Sequence, residues 1–206
     1  MLAIIDYGMA NLRSVQKAFE RMGYAAQIIS TPEQVQSADQ LIVPGVGAFQ
    51  DAMKVLNATD LTGAIKDFAK TGKPLLGICL GLQLFTDLSE EDGLHQGLGL
   101  IVGKVVRFTV DRPPYNLKVP HMGWNALHPT PNTPLFKNLP ADSHVYFVHS
   151  YHLVPADPAV IAATADYGPP FVAAITQNNI LATQFHPEKS QQVGAQILKN
   201  FAEFKP

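Results

Sequence analysis

The chain has one cysteine in 206 residues, Cys79. No disulfide can form within it, and a reducing, cytoplasmic setting is the expectation. Charge is also sparse: Asp, Glu, Lys and Arg make up 16% of the residues, and the net charge is −2. Without a basic stripe there is no electrostatic footprint for nucleic acid. No apolar run approaches the length that crosses a bilayer. Met1 to Asp6 carries no basic residue, and its apolar run stops at Asp6, so it reads as a strand rather than a signal peptide. Repeats, linkers and low-complexity tracts are missing too. The length fits one large α/β domain over residues 1–206.

Hydrophobic residues are plentiful, at 47%, which suits a sheet covered on both faces. Strand-like runs at Leu2–Ile5, Ala25–Ile29, Leu41–Val43 and Pro74–Ile78 alternate with helical patterns at about Leu12–Met22, Phe49–Leu56 and Leu61–Lys70. Thr31-Pro32-Glu33-Gln34 reads as a capping box opening another helix, with Thr31 as N-cap. Alternation of this kind implies parallel βαβ units. From Leu98 to Thr183 the pattern turns β-rich, punctuated by Pro113-Pro114, Asn132 and Gly168-Pro169-Pro170. Val172–Thr176 and Ile180–Gln184 flank Gln177-Asn178-Asn179 as a hairpin. A helix from about Gln191 to Phe204, capped by Ser190, closes the chain. The expected fold is α/β: a mostly parallel sheet flanked by helices, with an antiparallel β extension.

The sharpest local signal is Gly77-Ile78-Cys79-Leu80-Gly81-Leu82-Gln83. An apolar strand gives way here to a helix-like run, Leu80 to Leu88, with glycines two positions either side of Cys79. This is the G-x-(nucleophile)-x-G elbow with cysteine as nucleophile. A sulfur at a helix N-terminus is favoured as thiolate, the reactive form. The bland reading is that a lone cysteine beside apolar residues is a small buried hydrophobe. A second segment, Gln184-Phe185-His186-Pro187-Glu188, shifts the balance. In extended backbone, which Pro187 supports at His186, residues two apart point the same way. His186 can accept the thiol proton and Glu188 can hold its tautomer, which makes Cys79, His186 and Glu188 a Cys-His-Glu triad. Attack on a carbonyl also needs backbone N–H donors for the developing oxyanion. Leu80, just after the nucleophile, offers one, and Pro44-Gly45-Val46-Gly47 offers a second at the end of the neighbouring strand. His149-x-x-His152 lacks accompanying metal ligands, and strand alternation would send its two rings to opposite faces, so no metal site is expected.

The early P-G-V-G, then G-I-C-L-G-L-Q and the later F-H-P-E, in this order and spacing, resemble the class I (triad) glutamine amidotransferases over nearly the whole chain. Three further segments, I-D-Y-G-M-A-N-L at 5–12, P-H-M-G-W-N at 120–125 and Y-F-V-H-S-Y at 146–151, are similar to the branch that supplies glutaminase subunits to imidazole glycerol phosphate synthase. The resemblance implies that Cys79 attacks the side-chain amide of L-glutamine, with His186 shuttling protons and Glu188 orienting it. Leu80, Gly45, Val46 and Gly47 would form the oxyanion hole. Gln83, Glu91, His149, Ser150 and Tyr151 would border the glutamine, and no cofactor is implied. Ammonia would pass to a (βα)8-barrel cyclase subunit in a heterodimer. That partner converts the ribulosyl phosphate PRFAR to imidazole glycerol phosphate and AICAR. Met122, Trp124, Tyr146 and Lys189 would lie at or near the boundary with it, although Trp124 also reads as a core residue. The isolated subunit would be nearly inactive, with the second oxyanion donor turned away at rest. Two other readings stay open: the glutaminase subunit of pyridoxal phosphate synthase, and a non-catalytic regulatory module on the same fold.

Overall fold

A computed structural model describes residues 1–206. In its first half strands and helices alternate: β1 (Leu2–Ile5), α1 (Leu12–Arg21), β2 (Ala26–Ile29), α2 (Pro32–Gln36), β3 (Gln40–Gly45), α3 (Phe49–Ala58), α4 (Leu61–Lys70), β4 (Leu75–Cys79) and α5 (Leu80–Leu84). The rest is mainly strand: β5 (Thr86–Ser89), β6 (His95–Gln96), β7 (Ile101–Arg107), β8 (His121–Ala126), β9 (His128–Pro129), β10 (His144–His149), β11 (Tyr151–Pro155), β12 (Ile161–Asp166), β13 (Pro170–Gln177) and β14 (Ile180–Thr183), closed by α6 (Gln191–Ala202).

The main sheet runs β2-β1-β3-β4-β14-β13-β12-β9. Every pairing from β2 to β14 is parallel, and those from β14 to β9 are antiparallel. β1, β4 and β14 are buried along their whole length, which is why they read as continuous apolar runs rather than alternating ones. One apolar cluster fills the α3–α4–α5 face, and a second fills the face covered by α1 and α6. The chain passes from β1 to β2 on one side and to β3 on the other. Such a reversal leaves a crevice at the carboxyl ends of the strands, the usual ligand position in open α/β sheets. Two smaller sheets, β10-β8 and β11-β7-β5-β6, rise beside that edge.

The capping box at α2 forms: the Thr31 hydroxyl accepts from Gln34 N–H, and Gln34 Oε1 accepts from Thr31 N–H. The hairpin forms too, with Gln177 opposite Ile180 and Asn178 at φ 54°. One expectation fails and another holds in part. The helix after Cys79 stops at Leu84 instead of reaching Leu88, because the N–H groups of Leu98, Leu100 and Gly99 return to the carbonyls of Leu84, Phe85 and Thr86. Those tertiary bonds draw the following residues into β5. Ser190 stands at the N-cap of α6, where its carbonyl accepts from Gly194 N–H, but its side chain makes no cap bond: the hydroxyl donates to the His186 carbonyl at 2.7 Å and accepts from Tyr146 N–H at 3.0 Å.

Candidate active site

Cys79 ends β4 at φ 54° and ψ −107°, backbone angles that a non-glycine residue holds only when its surroundings enforce them. The flanking glycines supply that enforcement through space. A Cβ on Gly81 would strike the Val43 carbonyl oxygen of β3, and one on Gly77 would lie 2.8 Å from the Phe85 ring. Without side chains at both positions α5 settles directly on the strands, and the turn that carries the sulfur is clamped.

His186 follows β14 and is tied to β10 by its N–H, which donates to the Tyr146 carbonyl at 2.9 Å. Its Nδ1 lies 2.8 Å from Glu188 Oε1, with both side chains almost wholly buried. The two meet across a short 3-10 turn, Pro187–Lys189. They do not meet along an extended segment as expected, because Pro187 suits the first position of such a turn. A carboxylate at Nδ1 puts the proton there and leaves Nε2 for Cys79. Burial works against the charged imidazole, but the Cys79 sulfur and the Glu188 carboxylate outweigh it and raise His186 to about 9.

A cavity of about 320 Å³ opens over these groups. Cys79, His186 and Leu80 form its floor, and Val46 and Gly47 one wall. Gln83, Glu91, His149, Ser150 and Tyr151 line the remainder with Pro120 and Val148. Gln83 Nε2 donates to the Tyr151 carbonyl at 3.2 Å and to Gln184 Oε1 at 3.1 Å. Glu91 accepts from Phe49 N–H at the start of α3, at 2.8 Å, and burial raises its carboxyl above the usual range. His149 has both ring nitrogens committed: Nδ1 lies 2.8 Å from the Tyr151 carbonyl and Nε2 3.0 Å from His121 Nδ1. It therefore shapes the wall with its ring edge. The break at Ser150 between β10 and β11 places the rings of both His149 and His152 against Phe108, where strand alternation alone would have separated them. Gly45 lies directly across from Cys79 in the β3–β4 pairing. The next residue, Val46, gives its N–H to the Met9 carbonyl at 2.8 Å.

Two residues of this neighbourhood were not singled out by the sequence. Gln184 is fully buried, bonds Gln83 and brings its amide to 3.9 Å from Cys79 Sγ. Its spacing of two before His186 was the available signal. Tyr7 is buried with its hydroxyl beside Gly45; it lies in the I-D-Y-G-M-A-N-L segment, which gave no role for its side chain.

Outside the cavity, Met122 and Trp124 of β8 point outward, 62% and 47% exposed. Trp124 stands opposite Tyr146 of β10 with their rings edge to face, and Lys189 Nζ lies 5.7 Å above the Tyr146 ring. The open side of β8 thus carries a half-exposed aromatic pair and a methionine, residue types enriched in protein interfaces. No helix is long and apolar enough to cross a membrane.

The family described as glutamine amidotransferase class-I matches residues 3–204. The chain is 55% identical to the imidazole glycerol phosphate synthase subunit HisH of Syntrophotalea carbinolica, over 98% of this chain and all of that one. It is 51% identical to the HisH subunit of Geobacter sulfurreducens, over 99% of each. Among solved structures, that of PurLQS from Thermotoga maritima superposes with a TM-score of 0.77 at 16% identity, over 98% of this chain and 96% of that one. At that identity the likeness speaks for the fold.

Proposed function

The chain belongs to the class I glutamine amidotransferases, and from that premise we propose that it is the glutaminase subunit of an imidazole glycerol phosphate synthase, acting as one domain across residues 1–206. The observation that carries the chemistry is the meeting of Cys79 and His186 at one cavity from two distant stretches of chain, with Glu188 bonded to the far ring nitrogen of His186. Cys79 thiolate attacks the side-chain amide carbon of L-glutamine beside the charged imidazole of His186. The negative charge that develops on the amide oxygen is met by the N–H groups of Leu80 and of the Gly45–Gly47 loop. The tetrahedral intermediate collapses, the C–N bond breaks, and His186 gives its proton to the departing nitrogen as ammonia. Water, deprotonated by His186, then attacks the thioester, and glutamate leaves with the thiolate restored. Glu188 holds the imidazole in one tautomer and stabilises its charged form throughout. Gln83, Gln184 and His149 shape the pocket, and Glu91, Ser150 and Tyr151 present polar groups to the substrate.

The ammonia is consumed by a (βα)8-barrel cyclase subunit, which forms imidazole glycerol phosphate and AICAR from PRFAR. Its docking face on this chain is the exposed side of β8 and β10, with Met122, Trp124, Tyr146 and Lys189. The chain works in the cytoplasm. At rest the Val46 N–H belongs to Met9, so one oxyanion donor is turned from the cavity. Partner binding rotates that peptide. The deciding experiment is glutamate release from L-glutamine with the cyclase and its ribulosyl ligand, against the chain alone, with Cys79→Ala as blank. Strong, Cys79-dependent stimulation is expected. High turnover without the partner would move the chain to another glutaminase branch, and no turnover in either setting would leave a binding module.

A further inference from the structure

Three buried side-chain atoms in the molecule make no hydrogen bond: His186 Nε2, Glu188 Oε2 and the Tyr7 hydroxyl. The first two belong to the triad, and the third has no part in it. Tyr7 does not line the cavity and is only 4% exposed. It reaches beneath the end of β3, where a Cβ on Gly45 would collide with its hydroxyl and would lie 3.0 Å from the Leu80 Cβ. Its oxygen therefore sits against the junction of Gly45, the end of β3, and Leu80, the start of α5, near the two places from which the proposed oxyanion donors arise. Burial, with the charge of Cys79 added, pushes the phenol upward, so it persists as an O–H donor. An unpaired buried hydroxyl costs its full desolvation and calls for an explanation, such as another state in which it is paired.

The Gly45–Val46 peptide is the neighbour able to pair it. In the present state the Val46 N–H donates to the Met9 carbonyl. Half a turn of this one peptide carries the N–H toward the cavity and the Gly45 carbonyl toward the opposite side. There it meets the Met9 carbonyl, which is an acceptor and cannot satisfy it. We propose that Tyr7 is a positioning residue for glutaminase turnover: its hydroxyl donates to the rotated Gly45 carbonyl and so stabilises the state in which the Val46 N–H faces the oxyanion. Leaving that hydroxyl unpaired at rest narrows the gap between the two states. This rests on the reading of the chain as a partner-gated glutaminase.

The test is Tyr7→Phe, which removes one oxygen and keeps the ring, assayed in the complete complex with the cyclase subunit and its ribulosyl ligand. The stimulated kcat should fall at least about fivefold, the scale of one lost hydrogen bond. KM for glutamine should stay within twofold, and the Tm of the isolated chain should equal or exceed that of wild type. A stimulated kcat within twofold of wild type would overturn the proposal. So would a loss of kcat accompanied by a raised KM and a lowered Tm, the signature of a packing role. If wild type itself shows no stimulation by the partner, the gated-glutaminase reading falls, and this proposal falls with it.

Discussion

On one side of Cys79 the imidazole of His186 is already clamped by Glu188 at 2.8 Å and tied by its backbone to β10. On the other side the Val46 N–H, the proposed partner of the oxyanion, is engaged by the Met9 carbonyl at 2.8 Å. On the proposed reading, the acid–base half of the site is assembled and the charge-stabilising half is held open. The difference follows from how each is built. His186 hangs from a turn pinned by Tyr146 and Ser190. Val46 lies just past the last residue of β3 and is 41% exposed. A control point placed on the second half can silence turnover without disturbing the triad.

The largest effects should come from the assembled side. Cys79→Ala should remove stimulated turnover by at least about 10⁴-fold, since the chain has no second thiol to replace it. Glu188→Gln should lower kcat by on the order of 10³-fold, because an amide at Nδ1 neither enforces the tautomer nor stabilises the imidazolium. Steady-state glutamate release in the complex checks both. A smaller loss in Glu188→Gln than in any change at Val46 would reverse the ranking of the two sides.

Removing the donor from the open side should cost less. Val46→Pro deletes the N–H, and the stimulated kcat should fall about 100- to 1000-fold, as for other single oxyanion donors. Alkylation of Cys79 by a glutamine-analogue affinity label, read by mass, should persist in this variant and vanish in Cys79→Ala. Loss of labelling in Val46→Pro would mean that the two sides are not separable.

Between the sides lies the elbow itself, where the expected effect is on stability. Gly81→Ala drives a methyl into the Val43 carbonyl. Overpacking of this kind costs about 1–3 kcal/mol, or roughly 2–12 °C in Tm for a chain of this size. Differential scanning calorimetry of the isolated chain measures it. An unchanged Tm would show that β3 and α5 can part at no cost.

How legible each side was in the sequence follows the same division. G-x-C-x-G and H-P-E are local strings whose spacing carries their chemistry, so Cys79, His186 and Glu188 could be named before any fold was known. Features set by distant chain were not readable. The helix after Cys79 ends at Leu84 because residues 98–100 bond its last carbonyls, and nothing within 80–88 announces that. Ser190 holds the N-cap position as its sequence suggests, but its side chain links His186 to β10 instead of capping the helix. Gln184 and Tyr7 owe their positions to strand order, which brings β1, β3, β4 and β14 side by side. The parallel half was legible because apolar runs between helical patterns admit few alternatives. The β-rich half could be placed only as an extension, since short strands do not declare their partners.

The last effect concerns the histidines, is graded with pH, and separates the two walls. His186 is raised to about 9, so its contribution is fully present below the unfolded value near 6.5 and is lost as pH rises through about 9. His121 and His149, buried and bonded to each other, are lowered by that burial to about 4 and about 3. Their contribution is present above 6.5 and is lost as pH falls toward 4, because the unfolded chain then binds protons that the folded pair refuses. Together they predict a stability maximum near pH 6.5, with a decline on the order of 1–2 kcal/mol per buried histidine by pH 5. Urea unfolding of the isolated chain at pH 5, 6.5 and 8.5 measures both limbs. His121→Asn, which can keep a donor toward His149, should flatten the acid limb alone, and Cys79→Ala should flatten the alkaline limb alone. If either variant flattens both, the histidine pair and the triad are one titrating unit, and the two walls of the cavity are electrostatically a single site.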